Sequence, residues 1–325
     1  MKNSGEIRWG ILGCGDVCEV KSGPAFSKVP NSSLVAVMRR DEEKVRDFAK
    51  RHNVPKYYTN AQSLIDDPDI NAIYIATPPA FHEEYAIECI RKQKPVYIEK
   101  PVTLTSQSCE RILEATRKYN VKASVAHYRR EMPMFKKIRQ TVESGVIGNP
   151  SLVVANTLQA PSSKIGTPQY WRIDPKVSGG GLFFDLAPHQ LDIFLWLFGA
   201  PKDVRGYSVN QTRLYDAPDL TNVEGLFGEV YVHALWAFNV GHEAQGERCE
   251  IIGNKGKIEF SFFSPTEIVI TTVNGTERIS IPPPVNIQEP MIDAVVRYFR
   301  NEGSNPCSLE EALVTMKVME SPGKA

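Results

Sequence analysis

"WGILGCGDVCEV", Trp9 to Val20, is the stretch on which the fold turns. The apolar run "IRWGIL" reads as a strand, and Gly10, Gly13 and Gly15 fall at its end, just before a helix. Gly13-x-Gly15-x-x-Cys18 follows the spacing G-x-G-x-x-G/A. A pyrophosphate lying on a βα turn asks for a tight turn at the first position and bare backbone at the second. It asks for a small residue at the third, so that helix packs on strand. Cysteine at the third place is a departure, but a small one. Three glycines alone are weak support; the surrounding strand, helix and βαβ rhythm turn them into a dinucleotide-binding expectation. Gly13, Gly15, Asp16 and Val17 are its candidate residues.

The same rhythm continues outward. "SSLVAVM" is a second strand, followed by the charged helix "DEEKVRDFAKRH". "INAIYIAT" is near-continuously apolar, as strands buried on both faces are. The helix "AFHEEYAIECIRKQ", the strand "PVYIE", the helix "SQSCERILEATRKY" and the strand "VKASVAH" complete a doubly covered parallel sheet ending near Ala126. After it come runs of period-2 alternation: "SLVVANTL", "DVRGYSVNQTRL", "VEGLFGEVYVHALWAFNV", "ERCEIIG", "GKIEFSFF", "TEIVITTV" and "ERISI". Asn274-Gly275 marks a hairpin and "GNKG" a second turn, so a meandering, mostly antiparallel sheet is expected. Helices flank it: "MPMFKKIRQTVESG", "FFDLAPHQLDIFLWLFG" and "MIDAVVRYFRNEG". The boundary falls at about residues 124–130, giving domains 1–124 and 125–325 from a length that predicts two domains at about 100–200 residues each.

Composition narrows the function. Hydrophobic content of 42% and charged content of 23% suit a soluble globular chain. Lys plus Arg is 38 and Asp plus Glu is 38, so no net positive field exists to hold nucleic acid or an anionic membrane. No apolar run approaches about 18 residues, and no secretory h-region precedes the first strand. The six cysteines form no C-x-x-C pair, and no histidine cluster has zinc spacing; scattered thiols fit a reducing, cytoplasmic compartment, and no metal is expected.

Several side chains then carry chemistry. "LVAVMRRDEEK" ends the second strand in Arg39 and Arg40, where an acid would hold a ribose 2′-OH and an arginine a 2′-phosphate. Asp41 reads as the next helix's N-cap, so NADP is preferred over NAD; the other reading is a solvated arginine and use of both cofactors. In "IATPPAFHEEYA", Thr77 and Pro78 reach the cofactor crevice, while His82 faces the nicotinamide side or sits in the first helical turn. Glu99-Lys100-Pro101 stands at the end of "PVYIE". Partial desolvation there lowers an amine pKa and fits Lys100 for proton transfer. Glu99 either restrains Lys100 or joins a relay, both are also candidates for cofactor binding, and Pro101 fixes the lysine's direction. In "SGGGLFFDLAPHQLDIFLWLFG", Pro188 should stand in a first helical turn beginning near Leu186, making Asp185 an N-cap. His189 and Asp192 can share a face, and a histidine beside an acid suits general acid–base work. Leu191, Phe194, Leu195 and Phe198 should carry the buried side.

The glycine loop, "TPPAFH", "EKP" and "GGGLFFDLAPHQLD", in this order and spacing, resemble the glucose–fructose oxidoreductase, inositol dehydrogenase and rhizopine-catabolism (Gfo/Idh/MocA) family, over nearly the whole chain to "SLEEALVTMKVMES". The resemblance implies an N-terminal Rossmann domain and a C-terminal α+β domain with a large open, mostly antiparallel sheet, often a subunit interface, hence a homodimer or homotetramer. It implies reversible NAD(P)-linked oxidation of a sugar, polyol or related hydroxyl. Carried over, Lys100 lies near substrate and nicotinamide, and Asp185 and His189 match an Asp-x-x-x-His pair, with His189 as proton acceptor. Ala187-Pro188 stand where relatives commonly have a glycine. "HYRREMP" resembles a substrate-side arginine segment, making Tyr128 and Arg129 candidates; Tyr170, Trp171 and Arg172 are weaker ones. Other outcomes on this scaffold are a dihydrodiol-type dehydrogenase, eliminations driven by transient redox, or a dinucleotide-binding regulator without activity.

Overall fold

The computed structural model describes residues 5–167 and 170–324. It divides into two compact units, one of residues 1–132 with 284–313, the other of residues 133–283 with 314–325. The sequence reading placed one boundary near 124–130 and assigned everything after it to the second domain. The division differs in that Pro284–Leu313 joins the first unit.

The first unit holds six strands: β1 (Ile7–Leu12), β2 (Ser32–Met38), β3 (Lys56–Tyr58), β4 (Ala72–Ile75), β5 (Val96–Ile98) and β6 (Ala123–Val125). Their order is β3-β2-β1-β4-β5-β6, and every pairing is parallel. The connecting helices are α1 (Asp16–Val20), α2 (Glu42–Arg51), α3 (Ala61–Ile65), α4 (His82–Arg91) and α5 (Ser106–Tyr119). This is the doubly wound arrangement, with its switch point between β1 and β4. Local signals set the helix ends. The Asp41 side chain caps α2 by accepting from the Lys44 main-chain N, and Thr105 caps α5 by accepting from Ser108. Asn120, left-handed at φ 52°, closes α5. The helix after the glycine loop is short: Gly23-Pro24 ends it, and a 3-10 turn, Gly23–Ser27, follows.

Glu19 of α1 is braced to α2. Its carboxylate accepts both Arg51 Nη atoms, at 2.7 and 2.8 Å, and lies 3.0 Å from His52 Nε2. These bonds, Arg51 first, pull the Glu19 carboxyl down to about 2. A carboxyl depressed by folding stabilises fully above its unfolded pKa of about 4.3 and loses that contribution as pH falls through the folded value. Glu19→Gln should therefore cost roughly 0.5–1 kcal/mol at neutral pH, after discounting for screening of a partly exposed pair. Urea titrations from neutral pH downward should show the difference narrowing below about pH 4.3 and closing toward pH 2. A deficit that stays constant over that range would assign it to packing instead.

In the second unit come α6 (Pro133–Glu143), β7 (Pro150–Leu158), α7 (Pro175–Ser178), α8 (Gly181–Leu186), α9 (Pro188–Phe198), β8 (Pro201–Val209), β9 (Leu220–Phe227), β10 (Val230–Ala237), β11 (Gly246–Gly253), β12 (Gly256–Phe260), β13 (Glu267–Thr272) and β14 (Gly275–Ser280). After it lie α10 (Glu289–Phe299), α11 (Leu309–Glu320) and β15 (Pro322–Lys324). The sheet runs β14-β13-β12-β11-β7-β10-β9-β8-β15. Its pairings are antiparallel except β7 with β10 and β8 with β15, which are parallel. The long run 223–240 is two strands turning at Gly228, φ 57°. At the last hairpin Thr272 pairs with Gly275, so the turn is Val273-Asn274, one residue earlier than the Asn-Gly signal indicates.

The inner face of this sheet and helix α9 share an aromatic core. Phe194 lies edge-on to Phe227 and Phe262, and Trp236 edge-on to Phe183. Leu191 and Phe194 are buried as expected; Leu195 and Phe198 are half-buried. The return of α10 to the first unit has an equally plain cause. Its apolar stripe, Met291, Ile292, Val295, Val296 and Phe299, is buried, and the Phe299 ring lies tilted against Trp9 of β1, centroids 5.6 Å apart.

Candidate active site

In the first unit, the C-terminal ends of β1, β4 and β5 deliver Gly13-Gly15, Thr77-Pro78 and Glu99-Lys100-Pro101 to the same edge of the sheet. Gly13 has φ +88°, and a Cβ there would lie 2.8 Å from both Cγ2 and the main-chain N of Thr77. Only glycine fits. Gly15 is different: a Cβ would meet nothing nearer than Gly13 O at 4.0 Å. No neighbour among the described residues demands glycine there, so the bare backbone leaves room for a ligand. Thr77 Oγ1 is buried beside Gly13 with no hydrogen-bond partner among the described residues. An open glycine backbone and an unsatisfied hydroxyl at the switch point fit a dinucleotide phosphate. Asp16 and Val17 open α1. Cys18 is buried with its Sγ 3.9 Å from Gly13 O, and burial pushes its thiol well above the ordinary range, so it packs and does not react.

At the tip of β2, Arg39 Nη1 donates to Cys14 O at 3.4 Å, which sets its guanidinium beside the glycine loop. Arg40 lies over the Phe81 ring, 5.4 Å from its centroid. Asp41 spends its carboxylate on capping α2 and on an ion pair with Lys44.

His82 opens α4 and is fully buried. Its Nε2 faces Thr77 O at 2.6 Å, and its Nδ1 faces Pro101 O and Val102 O at 3.2 Å. The ring is thus a strut between the Thr77 and Lys100 loops, and of the two readings the first-turn position holds. Burial holds its pKa down, to about 4.

Glu99 is 6% exposed. Its Oε1 accepts from Tyr74 Oη and from Gln288 Nε2, the latter at 2.7 Å, and its Oε2 accepts from the Lys100 main-chain N at 3.2 Å. Burial, then the Glu99 charge, pushes the Tyr74 hydroxyl well above the usual phenol range, so Tyr74 stays a donor. The Lys100–Pro101 peptide is cis, and Lys100 itself is half-buried. Tyr128 and Arg129 follow β6 in a 3-10 turn and are 3% and 5% exposed. Tyr74 and Gln288 were missed by the sequence reading. Gln288 stands 189 residues from Glu99, and no local pattern joins them.

In the second unit, Asp185 is not an N-cap. Helix α8 starts at Gly181, where φ is +74° and an added Cβ would lie 2.4 Å from Ala217 Cβ, and Asp185 lies inside it. The chain then restarts as α9 with Ala187 as cap and Pro188 in the first turn. Pro188 does begin a helix, but the residues before it already form one. Asp185 Oδ2 accepts from Arg172 Nε at 3.0 Å, and Arg172 lies over the Trp171 ring. His189 is buried near the start of α9, its ring edge-on to Phe263 at 6.0 Å. The next residue, Gln190, was not singled out. It is buried, donates to Thr157 Oγ1 and accepts from Trp236 Nε1, fixing this end of α9 on the sheet.

Comparison with known proteins agrees with the geometry. Residues 7–127 match the model of an oxidoreductase family with an NAD-binding Rossmann fold, and residues 135–259 match a GFO/IDH/MocA C-terminal domain. "Oxidoreductase P35" of Formosa agariphila is 42% identical over 320 residues, 97% of each chain. The inositol 2-dehydrogenase of Acidothermus cellulolyticus is 26% identical, over 86% of this chain and 79% of its own. A levoglucosan dehydrogenase solved with NADH and levoglucosan shares the fold at a TM-score of 0.85 and 19% identity, covering 97% of this chain and 96% of that one. No helix among the described residues is long and apolar enough to cross a membrane. The chain belongs to the Gfo/Idh/MocA family and is an NAD-binding oxidoreductase.

Proposed function

We propose that this protein is an NADP-linked dehydrogenase acting on a hydroxyl-bearing carbon of a sugar, polyol or related small molecule. One observation carries most of the weight: a half-buried lysine at the end of β5 has its main-chain N–H tied to a buried carboxylate, at the sheet edge that holds the glycine loop. Relatives named as inositol and levoglucosan dehydrogenases support the substrate class. Lys100 donates a hydrogen bond to the substrate oxygen and stabilises the charge that develops on it. His189 takes the hydroxyl proton, its imidazole oriented by Asp185. The nicotinamide, when bound, supplies the hydride chemistry. Gly13, Gly15, Asp16, Val17, Thr77 and Pro78 would hold the dinucleotide, with Arg39 and Arg40 at its adenosine end. His82 and Glu99 support from beneath, and Tyr128, Arg129, Trp171 and Arg172 act on the substrate side.

The preference for NADP rests on Arg39 and on the engagement of Asp41. A carboxylate already capping α2 and paired with Lys44 is a poor partner for a ribose 2′-OH. Sugars, polyols and 1,2-diols should be screened with NADP⁺ and NAD⁺ in parallel, and NADP⁺ should give a kcat/KM at least about tenfold higher. Arg39→Ala should weaken NADPH binding about 10-fold to 100-fold, the scale of one or two charge-assisted bonds, with NADH changed little. A wild-type preference for NAD⁺ would overturn this assignment.

Self-association through the nine-stranded sheet belongs to the same reading. Its second face carries half-buried Leu152, Val154, Leu226, Leu235 and Ile252 among charged and polar neighbours such as Glu224, His233 and Glu250, a mixed surface that a second copy would cover. All six cysteines are buried, and a cytoplasmic setting is part of the same proposal.

A further inference from the structure

The Glu99 carboxylate is a buried anion, and such a group is stable only where donors are aimed at it. Two side chains supply them, Tyr74 from β4 and Gln288 from the segment that returns to the first unit. Gln288 is fully buried and engaged at every polar position. Its Nε2 donates to Glu99 at 2.7 Å, its Oε1 accepts from Tyr97 Oη at 3.5 Å, and its main-chain N donates to Lys21 O at 3.2 Å. Its carbonyl accepts the Ile292 N–H in the first turn of α10. Two residues earlier, Asn286 Nδ2 donates to Val20 O and Asn286 Oδ1 accepts from Lys28 Nζ, at 2.5 and 2.6 Å. The turn 286–288 is therefore fastened to the end of α1, the helix that leaves the glycine loop. Through Gln288 it is fastened to the carboxylate that holds the main-chain N–H of Lys100.

We propose that Gln288 is a positioning residue for Lys100: it orients Glu99, and Glu99 sets where the lysine leaves the strand. Removing its amide leaves Glu99 with Tyr74 as its one side-chain donor among the described residues. The carboxylate then rotates, and that loosens Lys100. A misplacement of about 1 Å at a reacting group is enough to cost about a hundredfold in rate. The consequence for turnover rests on the catalytic reading of Lys100 given above; the structural link to the lysine does not.

The test is competitive acetylation of the lysines with acetic anhydride across pH, read by mass spectrometry, in wild type and Gln288→Met. The methionine keeps volume and loses both polar atoms. The Lys100 labelling curve should move by at least about half a pH unit while those of the other lysines stay in place, a shift of about threefold in its ionisation equilibrium. NADPH affinity and the number of sites titrated, both by fluorescence, should stay within about threefold of wild type while kcat falls at least about tenfold; a general loss of folded protein would instead lower the number of sites in step with kcat. Gln288→Asn, which keeps an amide but withdraws it from Glu99, should move the Lys100 curve in the same way and serves if the methionine variant does not fold. A Lys100 curve superimposable on wild type in either folded variant would overturn the proposal. A displaced curve together with an active Lys100→Met enzyme would support the link and overturn only the catalytic reading.

Discussion

Lys100→Met should lose about 10²–10³ in kcat, and more if the lysine also moves a proton, while NADPH affinity stays within severalfold. The magnitude follows from the role. A charged donor aimed at the oxygen where negative charge collects acts chiefly in the transition state, and removing one such donor costs about 2.7–4 kcal/mol. Methionine matches the lysine's unbranched stem and removes only the ammonium, so the fold should be untouched. The main-chain N–H that Glu99 accepts is present in both residues, so the strand end keeps its anchor. Binding should survive because the residues proposed to hold the dinucleotide lie on other loops, after β1, β2 and β4. The measurement is a kcat and KM determination on a substrate found in the screen, with NADPH fluorescence as the binding control. If turnover stayed within about tenfold of wild type with cofactor bound, Lys100 would not be the group that meets the oxygen. Arg129, in the turn after β6, would then be the next cation to replace.

Those strand ends were largely readable in the sequence, and the reason is physical. Strand β1 is buried on both faces over most of its length and β2 toward its C-terminal end, so their apolar runs mark out their hydrogen-bonded residues, Ile7–Leu12 and Ser32–Met38. Glycines followed by a helix mark where the first strand must stop. Strand β3 and helix α3 left no such trace. Lys56–Tyr58 has three residues at the sheet edge, with Tyr57 41% exposed, and a strand so short and half-solvated carries no periodicity. Asp185 illustrates a different limit. Pro188 forbids a helix interior, so a new helix beginning near it is a sound inference. Whether the residues before it are coil or a separate helix depends on packing, here Gly181 against Ala217, which only the folded chain supplies. The Arg172 partner of Asp185 and the Gln288 partner of Glu99 are likewise products of tertiary structure. The sequence could nominate both acids because they stand beside chemistry-bearing neighbours. It could not say what each acid was bonded to, and that bond decides whether a carboxylate is a cap, a counter-charge or a restraint.

His189 is the other residue whose removal should be felt most. His189→Ala should lower kcat about 10²–10⁴, the usual worth of a positioned acid–base group. Its surroundings make the loss specific. Gln190 is tied to Thr157 and Trp236, so the start of α9 keeps its place on the sheet without the imidazole. What disappears is a ring that lies edge-on to Phe263, leaving a space of about its own shape. Added imidazole should therefore enter that space and restore part of the activity to His189→Ala, with a saturable concentration dependence, while leaving wild type unchanged. A purely structural role predicts otherwise: a lowered melting temperature, loss of cofactor binding in step with turnover, and no response to imidazole. Asp185→Asn should be milder than His189→Ala, because it leaves the proton acceptor in place and weakens only its support. It should also release Arg172 from its ion pair at 3.0 Å. If Asp185→Asn abolished turnover while His189→Ala kept most of it, the carboxylate would be the proton acceptor and the histidine its support.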